Sequence, residues 1–116
     1  MTKILSFDAA HSLPDHPGKC RNVHGHTYSV EVTVEGPVRE AGPSRAMVMD
    51  FGELEERVAA LVVEPLDHRY LNDVVDLVPT AEALAAWMFA RLRDSGLPVV
   101  RVRLWETPTS YAEVTA

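Results

Sequence analysis

The segment from His24 to Val34 constrains the fold of this chain more than any other part of it, because polar and apolar positions alternate through it. One face carries His24, His26, Tyr28, Val30, Val32 and Val34. The other carries Ser29, Glu31 and Thr33. A period of two over this length is the pattern of a β-strand with one buried face. The chain must therefore build a sheet and cover one of its faces.

A second strand is predicted just before this one, and it has the same kind of face. In KILSFDAAHSL, every second position places Leu5, Phe7, Ala9 and His11 on one side. The polar loop PDHPGKCRN joins the two strands. Each strand thus carries histidine on its apolar face, close to the end that this loop joins. We predict that the two faces meet there.

The middle of the chain reads as a helix followed by an irregular segment. The helix is predicted over DFGELEERVAALVVE, where Asp50 can cap the first turn and Glu53 can complete a capping box. Its apolar stripe comprises Phe51, Leu54, Val58, Leu61 and Val62. The next segment, PLDHRYLNDVVDLVP, is expected to be irregular because its prolines limit helix formation.

A second helix and two strands complete the predicted fold. The helix should begin after Thr80, a favourable N-cap, and end at the Ser-Gly-Leu-Pro sequence that starts at Ser95. The closing strands are VVRVRLWE and SYAEVTA, joined by a turn around Pro108. The order ββααββ predicts one α+β domain over residues 1–116, with two helices on one face of an antiparallel sheet.

Charge and cysteine content exclude several classes of function. The formal net charge of −6 argues against binding nucleic acid or an anionic membrane through a broad basic face. A single cysteine cannot form an internal disulfide, and no segment has the apolar length of a signal-peptide core or a membrane span. We therefore expect a cytoplasmic protein whose partners are neither nucleic acids nor membranes.

Three histidines form the first candidate site. His24 and His26 are two residues apart on a strand, so both leave the same face, and His11 lies on the matching face of the preceding strand. Three neutral imidazoles with an open fourth position are typical of a catalytic zinc site. Two alternatives remain open. Cys20 could close a structural zinc site as the fourth ligand, or the histidines could be buried and satisfied by backbone carbonyls.

Cys20 is also a candidate in its own right. It lies between Lys19 and Arg21 in a polar loop, where cationic neighbours and a nearby metal would favour the thiolate. Such a sulfur would be an available base or nucleophile. The alternative is an inert core cysteine.

Two acidic positions complete the set of candidates. Asp67 could orient His68 and so form a unit that relays a proton, or both could be hydrated in an ordinary turn. Glu106 ends an alternating strand, and a carboxylate there could bind a guanidine-like edge through two parallel hydrogen bonds. The alternative for Glu106 is simple surface charge.

Six stretches of the chain together resemble one family, the 6-pyruvoyl-tetrahydropterin synthase / 6-carboxytetrahydropterin synthase family. In the family's order they are FDAAH, C-RNV-HGH, MVMDFGEL, LDHRYLND, PTAEALA and WETPTSYAE, from Phe7 to Glu113. The resemblance implies the tunnelling fold, or T-fold, in which ββααββ subunits join their sheets into a barrel. It also implies a homohexamer, a dimer of trimers, with active sites at the subunit interfaces.

The resemblance also implies roles for individual residues. The implied zinc ligands are His11, His24 and His26, the catalytic base is Cys20, and the proton relay is Asp67 with His68. Glu106 resembles the glutamate that anchors the 2-amino and N3 edge of the pterin, and Thr80 falls where the family contributes to the pterin pocket. By their position, Lys19, Arg21 and Arg69 are candidates to bind the triphosphate of the substrate.

The spacing of Cys20 and His24 is similar to that of the 6-carboxytetrahydropterin synthases of 7-deazapurine (queuosine) biosynthesis. These enzymes convert 7,8-dihydroneopterin triphosphate to 6-carboxy-5,6,7,8-tetrahydropterin, acetaldehyde and triphosphate, with zinc as cofactor. One rival is 6-pyruvoyl-tetrahydropterin synthase, which stops after triphosphate elimination. The others are a non-catalytic zinc-binding module with Cys20 as fourth ligand, and a three-histidine zinc hydrolase.

Overall fold

The computed structural model describes residues 1–116 and has one five-stranded sheet in the order β3-β1-β2-β4-β5. The strands are β1 (Thr2–His11), β2 (His24–Val34), β3 (Arg69–Tyr70), β4 (Val99–Thr107) and β5 (Ser110–Thr115). The helices are α1 (Phe51–Val58), α2 (Leu71–Val74) and α3 (Ala81–Asp94). A 3₁₀ turn (Lys19–Arg21) precedes β2, and a π-helical turn (Ala59–Val63) continues α1. The predicted α+β class is confirmed.

The first two strands form the antiparallel pair that alternation predicts. His11 lies opposite His24 and Ala9 lies opposite His26 in the register of β1 and β2. The apolar face of β2 is fully buried at Tyr28, Val30, Val32 and Val34. Because directly opposed residues of two strands lie side by side, this register brings the histidines to one end of the covered face.

The four expected strands pair antiparallel, and a fifth strand that was not predicted makes the sheet mixed. The segment expected to be irregular contains β3, which pairs parallel with β1 through Ala9 opposite Arg69 and Ala10 opposite Tyr70. It also contains the short helix α2. Parallel pairing needs a long connection, and between β1 and β3 the chain forms β2 and α1. A two-residue strand is too short to show alternation.

Helix α1 differs in detail from its prediction. The Asp50 side chain accepts a hydrogen bond from the Gly52 N–H at 2.8 Å. The capping box was wrong, because Glu53 contacts Arg39 at 3.5 Å instead. Phe51 was wrongly expected in the apolar stripe and is 55% exposed. The π turn adds a residue to the helical repeat, and it buries both Val62 and Val63.

Helix α3 follows its prediction and covers the sheet. The Thr80 hydroxyl caps it by accepting a hydrogen bond from the Ala83 N–H at 3.1 Å. Gly96, at a φ of +93°, follows its last turn in the left-handed conformation that glycine tolerates best. Its buried side chains are Ala81, Leu84, Ala85, Met88 and Leu92, and the helix packs against β4 and β5. None of the three helices has the length and apolar character needed to cross a bilayer.

Candidate metal centre and active site

Three histidine side chains converge at the end of the sheet where β1 and β2 are joined. Nε2 of His11 lies 2.9 Å from Nε2 of His24 and 3.2 Å from Nε2 of His26. One ligand atom from each of the three rings lies within 4.8 Å of the others. His11 is 1% exposed, whereas the other two are half-buried. The predicted grouping of these histidines is confirmed.

Backbone carbonyls orient two of the rings. Nδ1 of His11 lies 2.8 Å from the carbonyl oxygen of Pro79, and Nδ1 of His24 lies 2.8 Å from that of Asn22. A carbonyl oxygen only accepts hydrogen bonds, so each Nδ1 must carry the hydrogen. In the neutral ring this leaves a lone pair on Nε2. The carbonyls therefore select the tautomer that a metal ligand needs.

The donor set fits a metal ion. Two ligands bound to a tetrahedral zinc at about 2.05 Å lie about 3.3 Å apart, close to the separations between the Nε2 atoms. The alternative, in which the histidines are simply buried and hydrogen-bonded to backbone carbonyls, explains the Nδ1 contacts of His11 and His24. It does not explain why lone pairs on Nε2 should face one another, since they repel unless a cation lies between them. The three histidines could thus hold a metal ion.

The electrostatics of the cluster favour a neutral ring at His26. Burial lowers the pKa of His26 below its usual value, the nearby Glu106 opposes this effect, and His11 and His24 lower the pKa further. Tyr28 lies beneath the rings, and its Oη is 3.4 Å from Nδ1 of His11. Burial, with a smaller effect of Glu106, raises the pKa of Tyr28, so its hydroxyl stays protonated. Neutral imidazole is the form that binds a metal.

Glu106 lies beside the histidines, on the covered face of the sheet. Its Oε1 is 3.5 Å from Nε2 of His11 and 3.8 Å from Nε2 of His26. The residue ends the alternating part of β4, two positions after the buried Leu104. The alternative of simple surface charge is wrong, because only 26% of the side chain is exposed.

Cys20 lies in a recess that it shares with Lys19, His24 and His26. The 3₁₀ turn that carries it is held by a hydrogen bond from the Leu13 N–H to the Cys20 carbonyl at 2.9 Å. Its sulfur is not part of the group of ligand atoms that lie within 4.8 Å of one another. This geometry favours a cysteine next to the metal centre over a fourth ligand. Arg21 is exposed on the same turn.

Asp67 and His68 form a second cluster. Nδ1 of His68 lies 2.9 Å from Oδ1 of Asp67, which also accepts the Asp8 N–H at 3.0 Å. These hydrogen bonds, that from Asp8 above all, lower the pKa of the Asp67 carboxyl. His68 has a φ of +58°, and its N–H donates to the Asp8 carbonyl at 2.6 Å. A left-handed backbone at a histidine is costly, and these contacts hold it.

The two clusters are distinct groups of ligand atoms, although His26 also borders the cleft that contains His68. Asp8 and Thr27, which neighbour the Asp67–His68 pair, lie at the exposed alternate positions of β1 and β2, while the three histidines lie at the covered positions. An open cleft on this side is lined by His68, Arg69 and Tyr70 together with Asp8, Thr27 and His26. The structure therefore places Arg69 beside the Asp67–His68 pair and Lys19 beside Cys20.

Several groups that support the site were not identified from the sequence. Thr80 is the helix cap, as predicted, but the carbonyl of the preceding Pro79, which holds His11, was not foreseen. Tyr28 could have been found, because alternation places it two residues after His26 on the same face. The carbonyls of Pro79 and Asn22 leave no signal, since every residue has one.

Comparison with known proteins identifies the family. A sequence profile of 6-pyruvoyl tetrahydropterin synthase matches residues 1–116. This chain belongs to the 6-pyruvoyl tetrahydropterin synthase family. Among solved structures it is similar to 6-pyruvoyl tetrahydropterin synthase of Caenorhabditis elegans, with a TM-score of 0.85 and 30% identity over 100% of this chain and 94% of the other. The T-fold expected from the resemblance is thereby confirmed for the subunit.

Relatives within the family carry more than one activity. The chain is 47% identical to 6-carboxy-5,6,7,8-tetrahydropterin synthase of Synechocystis, over 95% of this chain and 88% of the relative. It is 40% identical to dihydroneopterin monophosphate aldolase of Pyrococcus furiosus, over 87% of this chain and 83% of the relative. Because the chain belongs to this family, it is a pterin-related enzyme. The choice among the family's reactions depends on its site residues.

Proposed function

We propose that this protein is a zinc-dependent 6-carboxy-5,6,7,8-tetrahydropterin synthase of 7-deazapurine (queuosine) biosynthesis, acting in the cytoplasm. It would convert 7,8-dihydroneopterin triphosphate and water to 6-carboxytetrahydropterin, acetaldehyde and triphosphate. The observation that carries the proposal is the recess in which Cys20 lies beside His24 and His26. The 47% identity to the Synechocystis synthase supports the choice of reaction.

The metal would be held by His11, His24 and His26. When bound, zinc supplies Lewis acidity toward the side-chain oxygens of the substrate and makes the adjacent C–H bond more acidic. Cys20, acting as its thiolate, would remove that proton.

The other residues would bind the substrate and complete the proton transfers. His68, held by Asp67, would exchange the remaining protons. Glu106 would bind the amino edge of the pterin, with Thr80 at the pocket wall. The cations Lys19, Arg21 and Arg69 would bind the triphosphate through charge-assisted hydrogen bonds.

The different strand faces on which the two clusters lie support a site shared between subunits. Within one chain the relay pair lies beside exposed positions of the sheet, whereas the histidines lie at covered positions. Strands β3 and β5 are the two edges of the sheet and have no neighbour on their outer sides. We propose that copies join at these edges into the barrel of a homohexamer, which also covers strand edges that would otherwise invite aggregation.

The proposal is tested by product analysis. Zinc-loaded protein is incubated with 7,8-dihydroneopterin triphosphate, and wild type is compared with Cys20→Ala and with His16→Ala, an exposed histidine away from the cluster. We expect acetaldehyde and triphosphate from wild type and His16→Ala, and loss of acetaldehyde in Cys20→Ala. Triphosphate without acetaldehyde would assign the pyruvoyl reaction instead.

An aldolase reaction is the second candidate, favoured by the 40% identity to the P. furiosus enzyme. Cleavage of this kind would release a two-carbon aldehyde that keeps its oxygen substituents. Its product would be a hydroxyaldehyde or its phosphate ester instead of acetaldehyde. The same trapping experiment therefore separates the two reactions.

A further inference from the structure

Glu106 makes an unusual set of contacts for a carboxylate. Its nearest polar neighbours are Nε2 of His11 at 3.5 Å and Nε2 of His26 at 3.8 Å. No N–H or O–H group of the protein donates a hydrogen bond to it, and no lysine or arginine lies within 4.0 Å of it. Only 26% of the side chain is exposed.

This arrangement is unfavourable without a cation. Nδ1 of His11 carries the ring hydrogen, so the neutral ring presents a lone pair to Glu106. Nε2 of His26 lies 3.2 Å from Nε2 of His11 and 3.8 Å from the same carboxylate oxygen, so the three atoms crowd around one position. A carboxylate that faces lone pairs gains nothing from them, and burial adds a cost. A metal ion between the groups would turn each repulsion into a coordinate bond.

We infer that Glu106 is a displaceable fourth ligand of the metal in the substrate-free protein. A nitrogen and an oxygen on one tetrahedral zinc lie about 3.3 Å apart, close to the separations of Glu106 from His11 and His26. The carboxylate lies outside the group of atoms that are all within 4.8 Å of one another. The carboxylate therefore approaches the metal position from the side of His11 and His26, and a rotation of its side chain would complete the coordination.

The consequence for catalysis rests on the proposed function. Oxygen atoms of the substrate side chain would take the position that Glu106 vacates. The freed carboxylate would then be available to bind the pterin. A single side chain would thus close the metal site at rest and open it when substrate arrives.

The test measures metal binding without substrate. Zinc affinity is determined by chelator competition, and the visible absorption of the Co²⁺-loaded protein reports the ligand set. We expect Glu106→Gln to weaken zinc binding roughly 10- to 100-fold and to change the cobalt spectrum, a loss of the size seen when groups around a metal site are removed. The matched control Glu113→Gln, whose carboxylate contacts Arg103 at 2.8 Å, should match wild type in both measurements.

A rescue experiment guards against a folding defect. Acetate added to cobalt-loaded Glu106→Ala should restore the wild-type spectrum, because it can supply the missing carboxylate. Zinc affinity within twofold of wild type in Glu106→Gln, together with an unchanged cobalt spectrum, would overturn the inference. Absence of rescue by acetate in a variant that still binds cobalt would also overturn it. These measurements need no turnover, so a failure of the proposed reaction is a separate result.

Discussion

Tyr28 supports the metal centre from the covered side of the sheet. It is fully buried, and its ring stacks on Phe7 with centroids 5.0 Å apart and planes at 9°. The rings of His11 and His26 meet it edge-on at 6.2 Å and 5.5 Å. One residue thus limits the rotation of two ligands, and its hydroxyl lies near Nδ1 of one of them.

We expect Tyr28→Phe to weaken zinc binding severalfold, up to roughly 10-fold. The ring packing remains, but His11 loses the hydroxyl next to Nδ1 and keeps only the Pro79 carbonyl. Because the contact with the hydroxyl is long, the loss of zinc affinity should be at the low end of the range seen for residues that support metal ligands. Chelator competition measures the change. Tyr111→Phe, on the exposed edge strand, is the control and should have no effect. Equal affinities in all three proteins would show that the carbonyl alone orients the ring.

The lowered pKa of His26 makes the metal-free protein sensitive to acid. Burial of the ring is the main cause, and the unfolded chain restores the usual value near 6.5. As pH falls below that value, the unfolded state takes up the proton first, so the free energy of unfolding decreases. The stability from this residue is complete above about pH 6.5 and is lost as pH falls toward the lowered folded pKa.

We therefore expect the melting temperature of chelator-treated wild type to decline between about pH 7.5 and 5.5 more steeply than that of His26→Gln. Differential scanning fluorimetry over this range measures both slopes. His16→Gln, which removes an exposed histidine, should keep the slope of wild type. If His26→Gln and wild type have parallel profiles, another group causes the acid sensitivity.

At the scale of elements, hydrogen bonds hold the segment from β3 to α2 against the end of β1. The side chain of Asn72 accepts the Ser12 N–H and donates to the Ser12 carbonyl, each at 2.9 Å. The Tyr70 hydroxyl lies 2.7 Å from the Ser12 hydroxyl. Ser12 directly follows His11, so these contacts fix both the end of β1 and the segment that carries Asp67 and His68.

We expect Asn72→Ala to lower the free energy of unfolding by about 2 kcal/mol, because it removes two partly buried hydrogen bonds worth about 1 kcal/mol each. Urea denaturation measures the loss. The control is Asn22→Ala, which keeps the backbone carbonyl that holds His24. A change below about 0.5 kcal/mol in Asn72→Ala would mean that strand pairing alone holds the segment.

The parts of the fold and of the site that could be predicted from the sequence were those with a periodic apolar pattern or a helix-capping residue. Alternation over β2 predicted which side chains face the core, and so predicted that the histidines converge. The strand β3 could not be predicted, because its two residues pair with β1 only through tertiary contact. The π turn could not be predicted either, because one extra residue in a helix only shifts the apolar stripe in the sequence. The covered position of Glu106 follows from alternation, but its contact with two histidines depends on a rotamer.

At the scale of the whole molecule, the candidate metal centre ties distant parts of the chain together. Its ligands come from β1 and β2, and the Pro79 carbonyl that orients His11 comes from the segment before α3. These groups are far apart in sequence and meet only in the folded state. An ion that binds the folded chain and not the unfolded one stabilises it by mass action. Metal binding should therefore act on the entire fold.

We expect zinc to raise the melting temperature of chelator-treated wild type, with a gain in stability of about 4 kcal/mol when free zinc is 1,000 times its dissociation constant. The stabilisation should disappear in His24→Ala, which removes a ligand while leaving the core face of β2 intact. His16→Ala is the matched control and should keep the full response. Each variant is compared with itself with and without zinc, so a general loss of stability cannot imitate the result. An equal zinc response in His24→Ala would contradict the three-histidine centre, because the ion would then bind elsewhere.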